Sequence, residues 1–168
     1  DEMVGQVLAS EGFTSIEEVA YVDSEEVSSI EGFDEETAAE IQMRAREYLD
    51  RIEAENDAKR KELGVADEIR EVPGVTTAMM VALGEEDIKT LEDFAGCASD
   101  DLVGWRERKE GETVMHDGVF TPFGTSRAEA EEMVVAARLA VGWITEEDLR
   151  AGEEEPEEGE DAEEAPAE

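Results

Sequence analysis

Ser15-Ile16-Glu17-Glu18-Val19-Ala20 and Thr90-Leu91-Glu92-Asp93-Phe94-Ala95 are two versions of one pattern, 75 residues apart. A hydroxyl residue is followed by an apolar residue, two acids and a second apolar pair. The match continues, with Ser24-Glu25-Glu26-Val27 over Ser99-Asp100-Asp101-Leu102. From there the spacing changes. Asp34 to Arg46 (DEETAAEIQMRAR) matches Ser126 to Arg138 (SRAEAEEMVVAAR) at an offset of 92, and Gly32 lies over Gly124. Two blocks in the same order, at offsets of 75 and 92, define a tandem repeat whose second copy carries about 17 extra residues near 105–121.

The repeated blocks read as helices. Ser15, Ser24, Asp34, Thr90, Ser99 and Ser126 are N-cap residues, most with acids in the first turn, where the helix dipole favours negative charge. Ala38, Ile41, Ala45, Tyr48 and Leu49 fall on one helical face, as do Ala130, Met133, Ala137 and Val141. Gly12, Gly32, Gly74, Gly84 and Gly124 mark the breaks, which implies helices of about 8 to 15 residues. The mixed-charge stretch Arg51–Gly64 reads as a frayed helical extension running into a linker. Within the insertion, Asp117-Gly118 between β-prone runs predicts a hairpin turn. The expected architecture is all-α: a first module at 1–50, an extension at 51–65, and a second module at 66–150 with a small β-hairpin. A disordered acidic tail is expected at 151–168.

Charge narrows the function classes. The 168 residues carry 49 acids against 14 bases, a net charge of −35. Ten acids and no base lie in the final EEEPEEGEDAEEAPAE. The remaining residues still hold 39 acids against 14 bases. Binding to nucleic acid requires Lys and Arg that displace counterions. A chain of this charge is repelled by phosphate within a screening length of roughly 8 Å, so basic protein surfaces are its expected partners. The basic residues Arg44, Arg46, Arg51, Lys59, Arg60 and Lys61 cluster among acids, which favours pairing along the helix.

No catalytic constellation is present: no serine has an activating base beside it, and no phosphate-cradling glycine loop precedes a lysine. His116 has no Cys or His at metal-binding spacing. Cys97 aligns with Val22 and reads as a packed thiol. Neither metal nor cofactor is expected. No apolar run approaches a membrane span of about 20 residues. A cytoplasmic monomer is expected, and Asp1 at the start suggests a piece from the C-terminal end of a longer chain.

Ser29-Ile30-Glu31-Gly32-Phe33, Glu71-Val72-Pro73-Gly74-Val75 and, more loosely, Pro122-Phe123-Gly124-Thr125 share an apolar–x–Gly–apolar core before a new helix. The pattern is similar to the helix-hairpin-helix motif, which places Gly32, Phe33, Gly74, Val75 and Gly124 at hairpin turns. In nucleic-acid-binding versions the amides after the glycine hold phosphate. Here Glu31, Asp34, Glu35, Glu36 and Glu71 flank the turns and would compete for those amides, so a scaffolding role is the stronger reading. A nucleic-acid-binding helix-hairpin-helix domain is the alternative. Trp105 aligns with Ile30 and Trp143 closes the last long helix, so both read as core residues or as anchors for a partner.

GFTSIEEVAYV, SSIEGFDEETAAEIQMRARE, EVPGV, TLEDFA and AARLAVGWI, in that order, resemble the C-terminal acidic repeats of the NusA family of bacterial transcription elongation and termination factors. That resemblance implies a docking role in transcription and antitermination. The implied partners are the C-terminal domain of the RNA polymerase α subunit, other transcription proteins, and RNA-binding domains upstream in the same protein, which such repeats mask. Glu92, Asp93, Asp100, Asp101, Trp105 and Trp143 are the candidate partner contacts.

Overall fold

The computed structural model describes residues 2–153, so the tail expected at 151–168 lies outside it except for its first three residues. Among the described residues the regular elements are helical apart from one hairpin: α1 (Glu2–Ser10), α2 (Ile16–Tyr21), α3 (Ser24–Ser28), α4 (Glu35–Leu63), α5 (Thr77–Glu85), α6 (Leu91–Ala95), α7 (Ser99–Val103), β1 (Trp105–Lys109), β2 (Glu112–His116), α8 (Arg127–Ala140) and α9 (Glu146–Glu153). Short 3-10 turns occupy Asp67–Glu71 and Thr121–Phe123. The expected lengths are corrected at both extremes, since α3, α6 and α7 have five residues and α4 has 29. The contacts divide the chain into two units, one of residues 1–65 and 76–85, the other of 66–75 and 86–168.

In the first unit, α2 and α3 pack on the first half of α4. Leu8, Val19, Ala20, Val27, Ile30, Ala38 and Ala45 form the core, with Phe13, Phe33, Ile41 and Leu49 packed against it. Tyr48, placed on the same face by periodicity, is exposed. Gln42 and Arg60, two of the three buried polar residues described in this unit, escape any hydropathy pattern. The buried Gln42 amide donates to the carbonyls of Val19 (3.2 Å) and Val22 (2.8 Å) at the end of α2. Buried Arg60 donates to Val65 O (2.8 Å) and pairs with Asp57 (2.9 Å). Buried polar groups of this kind persist because every donor finds an acceptor.

The expected fraying of residues 51–63 is corrected: α4 runs unbroken to a left-handed Gly64 cap. The reason is tertiary, because its second half is covered by α5. Thr77 donates to Glu53 (2.5 Å), and Lys59 pairs with Glu85. Gly84 is not a helix break. It lies inside α5, and a Cβ there would come 2.5 Å from Val65 and 3.0 Å from Leu63.

The second unit repeats the first. α6, α7 and α8 take the places of α2, α3 and the first half of α4. Ser15 and Glu18 form a capping box that Thr90 and Asp93 reproduce. Arg46 donates to Ala20 O at 2.8 Å, and its counterpart Arg138 donates to Ala95 O at 2.9 Å. Asp34 and Ser126 cap as expected. Ser24 and Ser99 do not: Asp23 caps α3, and α7 starts after Ala98, whose amide is accepted by Asp101.

The insertion forms a hairpin, though its turn is not at Asp117-Gly118. β1 and β2 pair antiparallel from Trp105↔His116 to Lys109↔Glu112 around Glu110-Gly111. Both turn residues have positive φ (54° and 89°), as a tight primed turn demands. Gly118 serves a different need. A Cβ there would lie 2.3 Å from the Leu102 carbonyl, where the returning chain is held by Val119 N–H to Asp101 O (3.0 Å) and Phe120 N–H to Leu102 O (2.7 Å).

Candidate functional site

Three equivalent turns organise the chain. Ile30 N–H bonds Val27 O, and Phe33 N–H bonds Ile30 O. The same ladder runs through Ile69, Val72 and Val75, and again through Leu102, Phe120 and Phe123. The first two residues of each ladder are buried. Gly32, Gly74 and Gly124 have φ of +93°, +84° and +66°. That left-handed backbone is open to glycine at little cost.

The helix N-termini that follow these turns are occupied by the chain's own side chains. Asp34 accepts from Thr37 N–H (2.7 Å), Thr76 from Met79 N–H (3.2 Å) and Ser126 from Glu129 N–H (3.2 Å). The bonds from Thr37 hold the Asp34 carboxyl below its ordinary range, so it stays charged where a phosphate would have to sit. The expected basic cluster is equally occupied. Arg44 pairs with Glu40, Arg51 with Glu55, Lys59 with Glu85, and Arg60 and Lys61 with Asp57, while Arg46 is tied to Ala20 O. Lys61 and Arg60 hold the Asp57 carboxyl far below the usual range.

Both tryptophans depart from the core reading. Trp105 is 44% exposed and Trp143 56% exposed. Trp105 cannot fill the place of Ile30 because Phe120, fully buried against Phe94 (6.2 Å between ring centroids), already does. Trp105 instead stacks on His116 at 4.1 Å, and His116 Nε2 lies 3.2 Å from Glu107. Trp143 follows the left-handed turn at Gly142, where its amide bonds Arg138 O (2.9 Å).

Asp100, Asp101 and Trp105 line one cleft of about 510 Å³ with Glu86, Asp117 and Cys97. Asp100 also pairs with Arg127, and Asp93 is spent on the Lys89 and Thr90 amides, which lower its pKa. Glu92 is exposed on α6, and neither it nor Trp143 lines the cleft. Burial, reinforced by Asp101 and Asp93, pushes the Cys97 thiol up to about 11. In the first unit, a separate groove of about 500 Å³ runs between α1, α2 and α4, lined by Val4, Leu8, Phe13, Val19, Ile41 and Tyr48. Hydropathy patterning gave no sign of it, because it arises where short helices meet without filling the space. No cluster of metal-ligating side chains is found among the described residues.

Residues 4–47 match the family model of the SAM-like helix-hairpin-helix tandem, so the first module is a helix-hairpin-helix tandem. Over 94 residues the chain is 37% identical to the transcription termination/antitermination protein NusA of Rickettsia prowazekii (strain Madrid E), and 36% identical to the same protein of Rickettsia conorii. The matched stretch is 56% of this chain and spans 19% of the relatives' length. No solved structure matches the chain. The resemblance read from the sequence strings therefore holds: part of this chain is similar to NusA proteins, and its first module matches the helix-hairpin-helix tandem.

Proposed function

We propose that the chain is a non-catalytic docking and autoregulatory region of a cytoplasmic transcription elongation, termination and antitermination factor. It holds basic surfaces of transcription proteins, the C-terminal domain of the RNA polymerase α subunit among them, and covers RNA-binding domains elsewhere in its own protein. The observation that carries this reading is the 94-residue likeness to proteins named for transcription termination and antitermination. The charge of −35, the acidic cleft beside Trp105 and the apolar groove of the first unit support protein partners. Tethering raises the effective concentration of a masking segment, so weak contacts suffice for autoregulation. Among the described residues no helix is long and apolar enough to cross a membrane.

Titration of the isotope-labelled chain with the polymerase α C-terminal domain is the test. Shifts are expected in the second module, centred on Asp100, Asp101 and Trp105. Unchanged spectra at millimolar partner would overturn docking. The rival, a nucleic-acid-binding helix-hairpin-helix domain, has the family match in its favour, but the occupied helix N-termini and the paired bases of α4 oppose it. No binding to duplex DNA is expected at physiological salt.

A further inference from the structure

The chain has fourteen basic side chains. Beyond the six on α4, Lys89 pairs with Asp87, Arg127 with Asp100 and Arg150 with Glu146, Arg138 donates to two carbonyls, and Arg70 is engaged as well. The three that remain, Arg106, Arg108 and Lys109, all lie on β1 of the insertion. They make no ion pair or side-chain hydrogen bond among the described residues. In a chain with 49 acids this is a local inversion of the rule followed elsewhere.

Strand alternation sorts the hairpin further. Arg106 lies opposite Met115 and Arg108 opposite Thr113, so these four share one face, and all four are exposed. Every acid of the two strands, Glu107 and Glu112, is on the other face with Trp105, Val114 and His116. One side of the hairpin is thus cationic with an exposed methionine, and no described residue of the second unit covers it. The sign is wrong for the basic partners that the rest of the surface favours.

We propose that this face is the docking surface for the chain's own acidic segment, residues 154–168. That segment carries nine acids and no base, so its charge complements Arg106 and Arg108. Among the described residues, the hairpin is where basic side chains lie without an acidic partner, so the segment gains attraction there. Fifteen residues reach up to about 50 Å at roughly 3.3 Å each, against a radius of gyration on the order of 12 Å for a unit of this size. A tethered segment also acts at millimolar effective concentration. Single-stranded nucleic acid fits less well. It would need stacking rings and phosphate-binding cations on one surface, whereas the Trp105–His116 pair and the two arginines face opposite ways.

The test places a nitroxide on A162C in the full-length chain, with Cys97 left unlabelled because it is buried. At 20 mM salt the amide signals of Arg106, Arg108, Thr113 and Met115 should lose at least half their intensity, and recover it at 500 mM. R106S/R108S should abolish the effect. So should a chain with Glu157, Glu158, Glu160 and Asp161 changed to amides, which leaves the hairpin untouched. Full intensity at low salt in the parent chain would overturn the proposal, as would equal broadening in both variants. Hairpin shifts on adding a uridine 12-mer at 150 mM salt, in a chain whose label leaves these amides at full intensity at 20 mM salt, would assign the face to nucleic acid and equally overturn it. None of these outcomes depends on binding of a polymerase domain, which the preceding titration reads separately.

Discussion

The two modules are built from one plan and differ in what occupies the position after the third short helix. In the first, Ile30 follows Val27 directly and enters the core. In the second, Leu102 is followed by an outgoing strand, a hairpin and a return, and Phe120 arrives where an isoleucine would otherwise sit. A second difference lies inside. Gln42 bonds the carbonyls of Val19 and Val22 at the end of α2, while its counterpart Val134 is buried with no polar group to satisfy. The comparison teaches that the hydrogen-bond ladder of the turn is the invariant. The side chain that closes it can be supplied locally or from across an insertion.

Breaking that equivalence at Phe120 should have the largest effect. Phe120→Ala removes a fully buried ring and should destabilise the second unit by about 3–5 kcal/mol. Urea unfolding read at second-unit amides should show the loss, with first-unit amides protected as before. Retained protection at Phe94 and Leu102 would mean Phe120 does not close the core. Next comes Gly118→Ala, whose methyl would collide with the Leu102 carbonyl. A cost of about 1–3 kcal/mol is expected, against about 1 kcal/mol for Gly12→Ala, where only positive φ opposes the change. Equal losses at both would remove the close-approach argument.

Gln42→Ala sharpens the second difference. Two carbonyls lose their donor, so the first unit should weaken by about 1–3 kcal/mol, measurable by denaturation, while Val134→Ala in the second should show only a packing loss. Trp105→Ala should change stability by less than about 0.5 kcal/mol yet abolish the partner shifts around Asp101. A loss of several kcal/mol would restore the core reading.

The smallest effect is electrostatic. Hydrogen bonds to Thr14, Lys89 and Ser126 lower the pKa values of Glu18, Asp93 and Glu129 respectively. Their folded values lie below their unfolded ones, so the stability they add is complete above about pH 4.5 and disappears as pH falls through the folded values. Replacing each by its amide should flatten the acid limb of unfolding below pH 4.5 in both modules alike.

Much of this was legible in the residues. The repeat, the caps Ser15, Thr90, Asp34 and Ser126, the turn glycines and the presence of a hairpin all rest on local rules of spacing and backbone chemistry. The misses share a cause. Asp117-Gly118 is a good turn signal, but Gly118 is needed for backbone contact with α7. Trp105 aligns with a core residue, but Phe120 takes that place from fifteen residues away. The basic residues of α4 cluster visibly in the sequence, although neighbouring acids neutralise most of them. The unpaired ones on β1 look no different in sequence.

The helical repeat, its acidity and its turns can be read from the residues alone, because composition is explicit and caps, glycine backbones and 3.6-residue spacing act within a few residues. Packing between distant segments is what continues α4 to Leu63, buries Gln42 and Arg60, and selects the side chain that closes each core, Ile30 in the first and Phe120 in the second. Those outcomes depend on which surfaces meet after the chain has folded back, and neighbours distant in sequence leave no local mark.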